Sequence, residues 1–188
     1  MSRWEPDAPG RLQAAAFELY TERGYDQTTV AEIAARAGLT ERTFFRYFAD
    51  KREVLFWGAA ALEAYLVRHV DEAPDGLAPL EVVSLALCSA ADDFFDDRRE
   101  FALRRQQVIA ANPELHEREL IKLANLASAV AEALRRRGVT ETAATLAAEA
   151  GVAVFKVGFE QWARGSGAQT LAEQLRSSFG DLRSVAGG

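Results

Sequence analysis

The chain has 188 residues, of which 49% are hydrophobic and 27% charged, and its net charge is −6. Those proportions support a packed core of one domain or two small ones; with a polar opening (Met1 to Pro6) and no uninterrupted apolar run of about 18 residues, neither a secretory leader nor a membrane span is expected. The single Cys88 excludes an intrachain disulfide framework and fits a reducing cytoplasm, the expected location.

In chain order, nearly every segment reads as helix, because Gly and Pro fall between stretches of helical periodicity and no two-residue alternation is sustained. After Pro9-Gly10, the residues Leu12, Ala15, Ala16, Leu19 and Tyr20 predict a first helix, which Gly24 stops. Thr29 opens a second with a Thr-x-x-Glu capping box completed by Glu32. Its apolar stripe is Val30, Ile33, Ala34 and Ala37, and Gly38 ends it. Thr40 caps a short third helix with Phe44 and Phe48 on one face. Asp50 caps a fourth, expected to run from Lys51 through Val54, Leu55, Leu62 and Leu66 towards His69. Beyond the breaker cluster DEAPDGLAP at 71–79, helices are expected at about 79–95, 98–111, 114–137, 141–164 and 168–184. The fold class is all-α, with about nine helices. A three-helix domain over 1–52 precedes a helical domain over 53–188.

Helix, Gly38-Leu39-Thr40 turn, short helix is the order of a helix-turn-helix, here about 29–48, whose second helix enters the DNA major groove. The overall charge is acidic, yet residues 28–52 hold five basic residues against three acidic. At 100° per residue, with Phe44 and Phe48 turned inward, Arg42 and Arg46 point outward. Thr43 and Phe45 flank that face, and Glu41 and Tyr47 lie nearer its boundary. Arg42 can offer its fork to guanine O6 and N7, and Thr43 its hydroxyl to a base or its methyl to thymine. Thr29, Thr40 and Lys51, at helix starts, stand where phosphates would lie. A solvated helix face fits the same pattern, and the geometry alone leaves both readings open.

The stretch RLQAAAFELYTERGYDQTTVAEIAARAGLTERTFFRYFADKREVL, 11–55, resembles the N-terminal domain of TetR-type (tetracycline-repressor-like) regulators. The matching residues are Phe17, Gly24-Tyr25, Thr28-Thr29-Val30, Ile33-Ala34, Ala37-Gly38-Leu39, Thr43, Arg46-Tyr47-Phe48 and Lys51. The resemblance implies that Glu41, Arg42 and Thr43 face bases and that Thr29, Thr40, Tyr47 and Lys51 hold phosphates. Phe45 departs from the pattern, where Tyr is common and its hydroxyl commonly meets a phosphate; Phe45 is left to meet a sugar or a thymine methyl. Ala31 lacks the polar contact some relatives make, and Arg36 and Arg46 are the expected substitutes.

For the remainder, the resemblance implies a ligand-binding and dimerisation domain. In residues 142–165, Ala144, Ala147, Ala148, Gly151, Val154, Gly158 and Trp162 mix small and apolar residues, which suits either an intersubunit four-helix bundle or packing inside one subunit; the resemblance favours the first. Residues 58–140 would then hold the pocket. Its candidate lining residues are Leu62, Tyr65, Leu66, Leu87, Phe94, Phe95, Phe101, Arg104, Arg105, Gln107, Val108 and Asn125, with Phe155, Phe159 and Trp162 from the later helix; core packing is the alternative for each. The stretch 101–123 resembles members with an acyl-CoA-like ligand-binding domain. That implies a hydrophobic or acyl ligand, with Arg104 or Arg105 partnering an anionic head group.

Asp92 and Asp96 share a helix face, but four nearby arginines favour an ion-paired surface over a metal site, and no metal or cofactor is expected. No Gly-rich phosphate loop, His-Glu-x-x-His or nucleophile–base pair is present in the sequence, so catalysis is not the reading. The expected function is a ligand-responsive, DNA-binding transcriptional regulator: a homodimeric repressor on a palindromic operator, released by a small-molecule inducer. The alternative is a small-molecule-binding helical protein with a vestigial helix-turn-helix.

Overall fold

A computed structural model describes residues 7–95, 98–165 and 169–187. The described residues form nine α-helices, one 3-10 turn and no strand, which agrees with the all-α reading. In order they are α1 (Ala8–Arg23), α2 (Val30–Arg36), α3 (Glu41–Tyr47), the 3-10 turn (Glu53–Phe56), α4 (Ala59–Asp71), α5 (Pro79–Phe95), α6 (Arg99–Ala110), α7 (Pro113–Arg136), α8 (Glu141–Arg164) and α9 (Leu171–Ala186). They divide into two compact units. The first is Met1–Gly58 with Arg104–Glu119, and the second is Ala59–Leu103 with Leu120–Gly188.

In the first unit, α1, α2 and α3 close over Leu12, Leu19, Ile33 and Phe44, all buried. Phe48 completes this core, its ring 5.4 Å from that of Phe44. The turn between α2 and α3 is fixed locally. The Leu39 N–H donates to the Ala34 carbonyl at 2.8 Å and the Gly38 N–H to that of Ala35 at 3.0 Å. This paired closure puts Gly38 in the left-handed region, at φ +67°, where a side chain is strained. A Cβ there would also lie 2.9 Å from the Arg11 guanidinium, which donates to the Ala37 carbonyl.

The expected unbroken fourth helix is corrected. Asp50 does cap, its carboxylate accepting the N–H groups of Arg52 at 2.8 Å and Glu53 at 3.3 Å. The helical run it starts is only the 3-10 turn. Trp57 is extended and Gly58 is left-handed, at φ +93°, so Leu62 and Leu66 belong to a separate helix, α4.

In the second unit, α5, α8 and α9 pack on one another and α4 packs on α5. The small-residue stripe of α8 is what permits this. A Cβ on Gly151 would lie 2.3 Å from Val83 Cγ1 of α5, and one on Gly158 would lie 2.8 Å from Leu175 Cδ2 of α9. Ala144, Ala147, Ala148, Gly151, Val154, Gly158 and Trp162 are therefore all buried inside the subunit. This corrects their reading as an interface with a second copy, because α5 and α9 already cover that face. α8 is also long and apolar enough, by length and composition, to cross a membrane. Its apolar stripe lies against α5 and α9, as in the central helix of a bundle.

Gly151→Ala is expected to destabilise the protein by about 1–3 kcal/mol through overpacking, outweighing the ~1 kcal/mol gained in helix propensity. Val83 is β-branched and stiff at χ1, so it cannot swing away. Thermal unfolding checks this, and an unchanged or raised Tm would show that α5 gives way freely.

Candidate functional site

α3 presents its outward face as a short row. Glu41 and Arg42 are exposed, and Arg42 has no hydrogen-bond or ion-pair partner among the described residues. Phe45 is 56% exposed and touches the core only through an edge-on contact with Phe44, at 5.5 Å. Arg46 is turned aside, donating to the Tyr47 hydroxyl at 2.8 Å with its guanidinium 4.7 Å over that ring. Thr40 caps α3 by accepting the Thr43 N–H at 3.2 Å, and the two threonine hydroxyls lie 3.0 Å apart. At the start of α2, the Thr29 hydroxyl accepts from the Glu32 N–H and donates to the Glu32 carboxylate, at 3.3 and 2.9 Å. Glu32 also accepts the Thr29 N–H, closing the capping box and holding its own carboxyl below the usual range.

Two cations expected to meet DNA have other partners. The Arg36 guanidinium donates to Glu18 at 3.0 Å and to both oxygens of Glu22 at 2.9 Å, tying α2 to α1. Its hydrogen bond holds the Glu22 carboxyl below the usual range. Arg36 is thus a brace between helices, which corrects its reading as a substitute for the contact Ala31 cannot make. The Lys51 ammonium donates to the carbonyls of Tyr25 at 2.8 Å and Thr28 at 3.0 Å, and sits 4.1 Å over the Tyr25 ring. Burial pushes the Tyr25 phenol up to about 12, so the ring beneath this cation stays neutral at ordinary pH. The Tyr20 hydroxyl in turn donates to the Lys51 carbonyl at 2.8 Å.

Lys51 therefore staples the loop that delivers Thr29 rather than presenting a free charge. Lys51→Met is expected to weaken DNA binding while leaving the slope of log affinity against log salt unchanged. Loss of a direct phosphate contact would lower that slope by about 0.9.

The segment 104–119 of the same unit contributes side chains that the sequence did not place there. Arg105 donates through Nε to the Leu55 carbonyl and through Nη1 to Glu119, both at 2.9 Å, and lies 5.1 Å over the Phe56 ring. Arg118 pairs with Glu53 at 2.7 Å. This corrects Arg105 as a partner for a ligand head group. Burial pulls its pKa down and Glu119 opposes that pull.

The second unit holds a small apolar cavity of about 10 Å³, lined by Leu66, Val70, Val83, Ala86, Leu87, Leu126, Val130, Ala148 and Val152. That is room for about one water molecule. Of the predicted lining, only Leu66 and Leu87 reach it. Leu62 and Tyr65 of α4 and Phe155 of α8 are half-buried against the surrounding core, while Phe159 and Trp162 are buried within it. Phe95, Phe155, Phe159 and Trp162 form a chain of rings 5.5–6.1 Å apart. Phe94 packs edge-on against Tyr65, whose hydroxyl meets Ser89 at 2.7 Å and Asp93 at 2.5 Å. Phe101 is half-buried and Asn125 exposed. Arg104, Gln107 and Val108 belong to the first unit and do not line this cavity. Asp92 lies 3.8 Å from Arg176 in an exposed ion pair, and Asp96 lies outside the described residues.

A three-helix head with a glycine turn and an outward Arg42, followed by an all-helical unit with an apolar cavity, defines a helix-turn-helix transcriptional regulator. Residues 12–56 match the tetR family of bacterial regulatory proteins and residues 77–187 match the MftR C-terminal domain, and the chain belongs to this TetR family with an MftR-type C-terminal domain. It is 25% identical over 182 residues to MftR of Mycobacterium tuberculosis, a transcriptional regulator assigned to mycofactocin biosynthesis, covering 95% of this chain and 91% of that protein. It is 33% identical over 94 residues to the transcriptional regulator TcmR of Streptomyces glaucescens, a match spanning 44% of this chain and 42% of TcmR. The crystal structure of Thermus thermophilus FadR, a TetR-family repressor in complex with lauroyl-CoA, is similar with a TM-score of 0.52 and 25% identity, covering 93% and 92% of the two chains.

Proposed function

We propose that the protein is a dimeric repressor that binds a palindromic operator and is released by a hydrophobic or acyl-type ligand such as an acyl-CoA, acting in the cytoplasm where the DNA lies. The observation that carries the DNA half is Arg42, an outward guanidinium on α3 with no partner among the described residues. In this reading Arg42, Glu41, Thr43 and Phe45 face bases, while Thr29, Thr40, Arg46 and Tyr47 border the phosphates. The second copy docks on the outward side of α8, where Leu146 is 64% and Val157 49% exposed.

The ligand half rests on the lauroyl-CoA complex of the similar T. thermophilus FadR and on the apolar lining of the cavity. An acyl chain does not fit into space for one water, so binding requires the side chains around Leu66, Leu87 and Val130 to repack. A ligand that selects this opened state shifts the population away from the one that fits DNA. A coupling of about 1–3 kcal/mol corresponds to operator binding weakened about 5- to 150-fold. Gel shifts on the protein's own upstream DNA, with and without lauroyl-CoA, test this. Unchanged affinity in the presence of bound lauroyl-CoA would eliminate the acyl-ligand switch.

A further inference from the structure

α3 exposes five side chains, and they differ in what they have left to offer. Arg46 and Tyr47 satisfy each other, and Glu41 carries the wrong charge for phosphate. That leaves Arg42 and Phe45, three residues apart on one face, separated by about 60° around the helix and about 4.5 Å along it. Phe45 is more than half exposed, and the core behind it is already sealed by Phe44 and Phe48. Burying Phe45 therefore contributes little to folding. Its edge-on contact with Phe44 fixes the direction in which its ring is presented.

Phe45 has no donor or acceptor, so it cannot hold a phosphate or bond to a base edge. The apolar group that a base pair shows in the major groove is the C5-methyl of thymine. We infer that Phe45 is a specificity-determining residue that reads a thymine methyl, placed one or two base pairs from a guanine read by Arg42. The spacing comes from the ~4.5 Å offset along the helix set against the ~3.4 Å rise of each base pair. This rests on the DNA-binding reading above and names the bases that reading leaves open.

The test begins by selecting sites from random duplex DNA with the full-length protein. Thymines in the selected site are then replaced one at a time by deoxyuridine, which removes only the methyl. One thymine within two base pairs of a required guanine is expected to weaken wild-type binding about four-fold when replaced, the factor for burying one methyl-sized group. Phe45→Ala is expected to bind the thymine and uracil duplexes equally, while Arg42→Ala, weaker overall, keeps the preference. Two results overturn the inference and leave the DNA reading intact: a selected site with no uracil-sensitive thymine, or a Phe45→Ala variant with the wild-type preference. If wild type enriches no site from the random pool, the DNA reading itself fails and takes this inference with it.

Discussion

Phe44→Ala is expected to destabilise the first unit by about 3–5 kcal/mol and to abolish sequence-specific DNA binding. Phe44 is fully buried, touches Phe48 at 5.4 Å and is the side chain through which α3 is anchored to α1 and α2. A loss of that size is a large fraction of the stability of a small unit. Its cavity cannot be refilled cheaply, because Leu12, Leu19 and Ile33 are already fully buried around the same core. Chemical denaturation followed by circular dichroism is the measurement, with the first transition assigned to this unit. The neighbouring Phe45→Ala is the control, since an exposed ring should cost little stability. A Phe44→Ala variant as stable as wild type would mean that α3 is held by something other than its aromatic face.

Arg105→Met is expected to destabilise by about 3–5 kcal/mol, because it leaves the Glu119 carboxylate and the Leu55 carbonyl without their partner. Both charged side chains are largely covered, Arg105 at 19% and Glu119 at 27% exposure, so the pair is not the surface kind that water screens to insignificance. The double variant Arg105→Met with Glu119→Leu should recover most of the loss, since neither charge then remains stranded. If the double variant is as unstable as the single, Arg105 matters through packing on Phe56 instead. The pair also bears on regulation. α6 and α7 each contribute residues to both units, through 104–110 and 113–119 in the first. Under the proposed switch, loosening Arg105 from the Leu55 carbonyl should therefore shrink the ligand's effect on operator affinity as well as the stability.

What the sequence revealed was what neighbouring residues decide. Thr29 with Glu32, Thr40 with Thr43 and Gly38 after Ala37 each act within three or four residues, and the helix-turn-helix is assembled from those three local signals. The break at Gly58 was missed for a related reason: the apolar spacing of Val54, Leu55, Leu62 and Leu66 continues across it, and the periodicity masked the turn. Partners distant in sequence were not legible. Lys51 meets carbonyls 23 and 26 residues away, and Arg105 meets one 50 residues away; nothing near either residue in sequence distinguishes a staple from a free cation. The small stripe of α8 showed that something approaches closely. Only Val83 and Leu175 decide that the approaching surfaces are α5 and α9 of the same chain.

The reading of α3 as the base-reading helix is tested most directly by measuring wild type and Arg42→Ala on the selected duplex and on random duplex at one fixed salt concentration. The expected result is a wild-type preference of about 10³-fold or more for the selected duplex. Arg42→Ala should erode it by a factor corresponding to about 1–3 kcal/mol at a single guanine, with little change on random DNA. Equal weakening on both duplexes would contradict base reading by α3 and reduce Arg42 to one more positive charge on the surface.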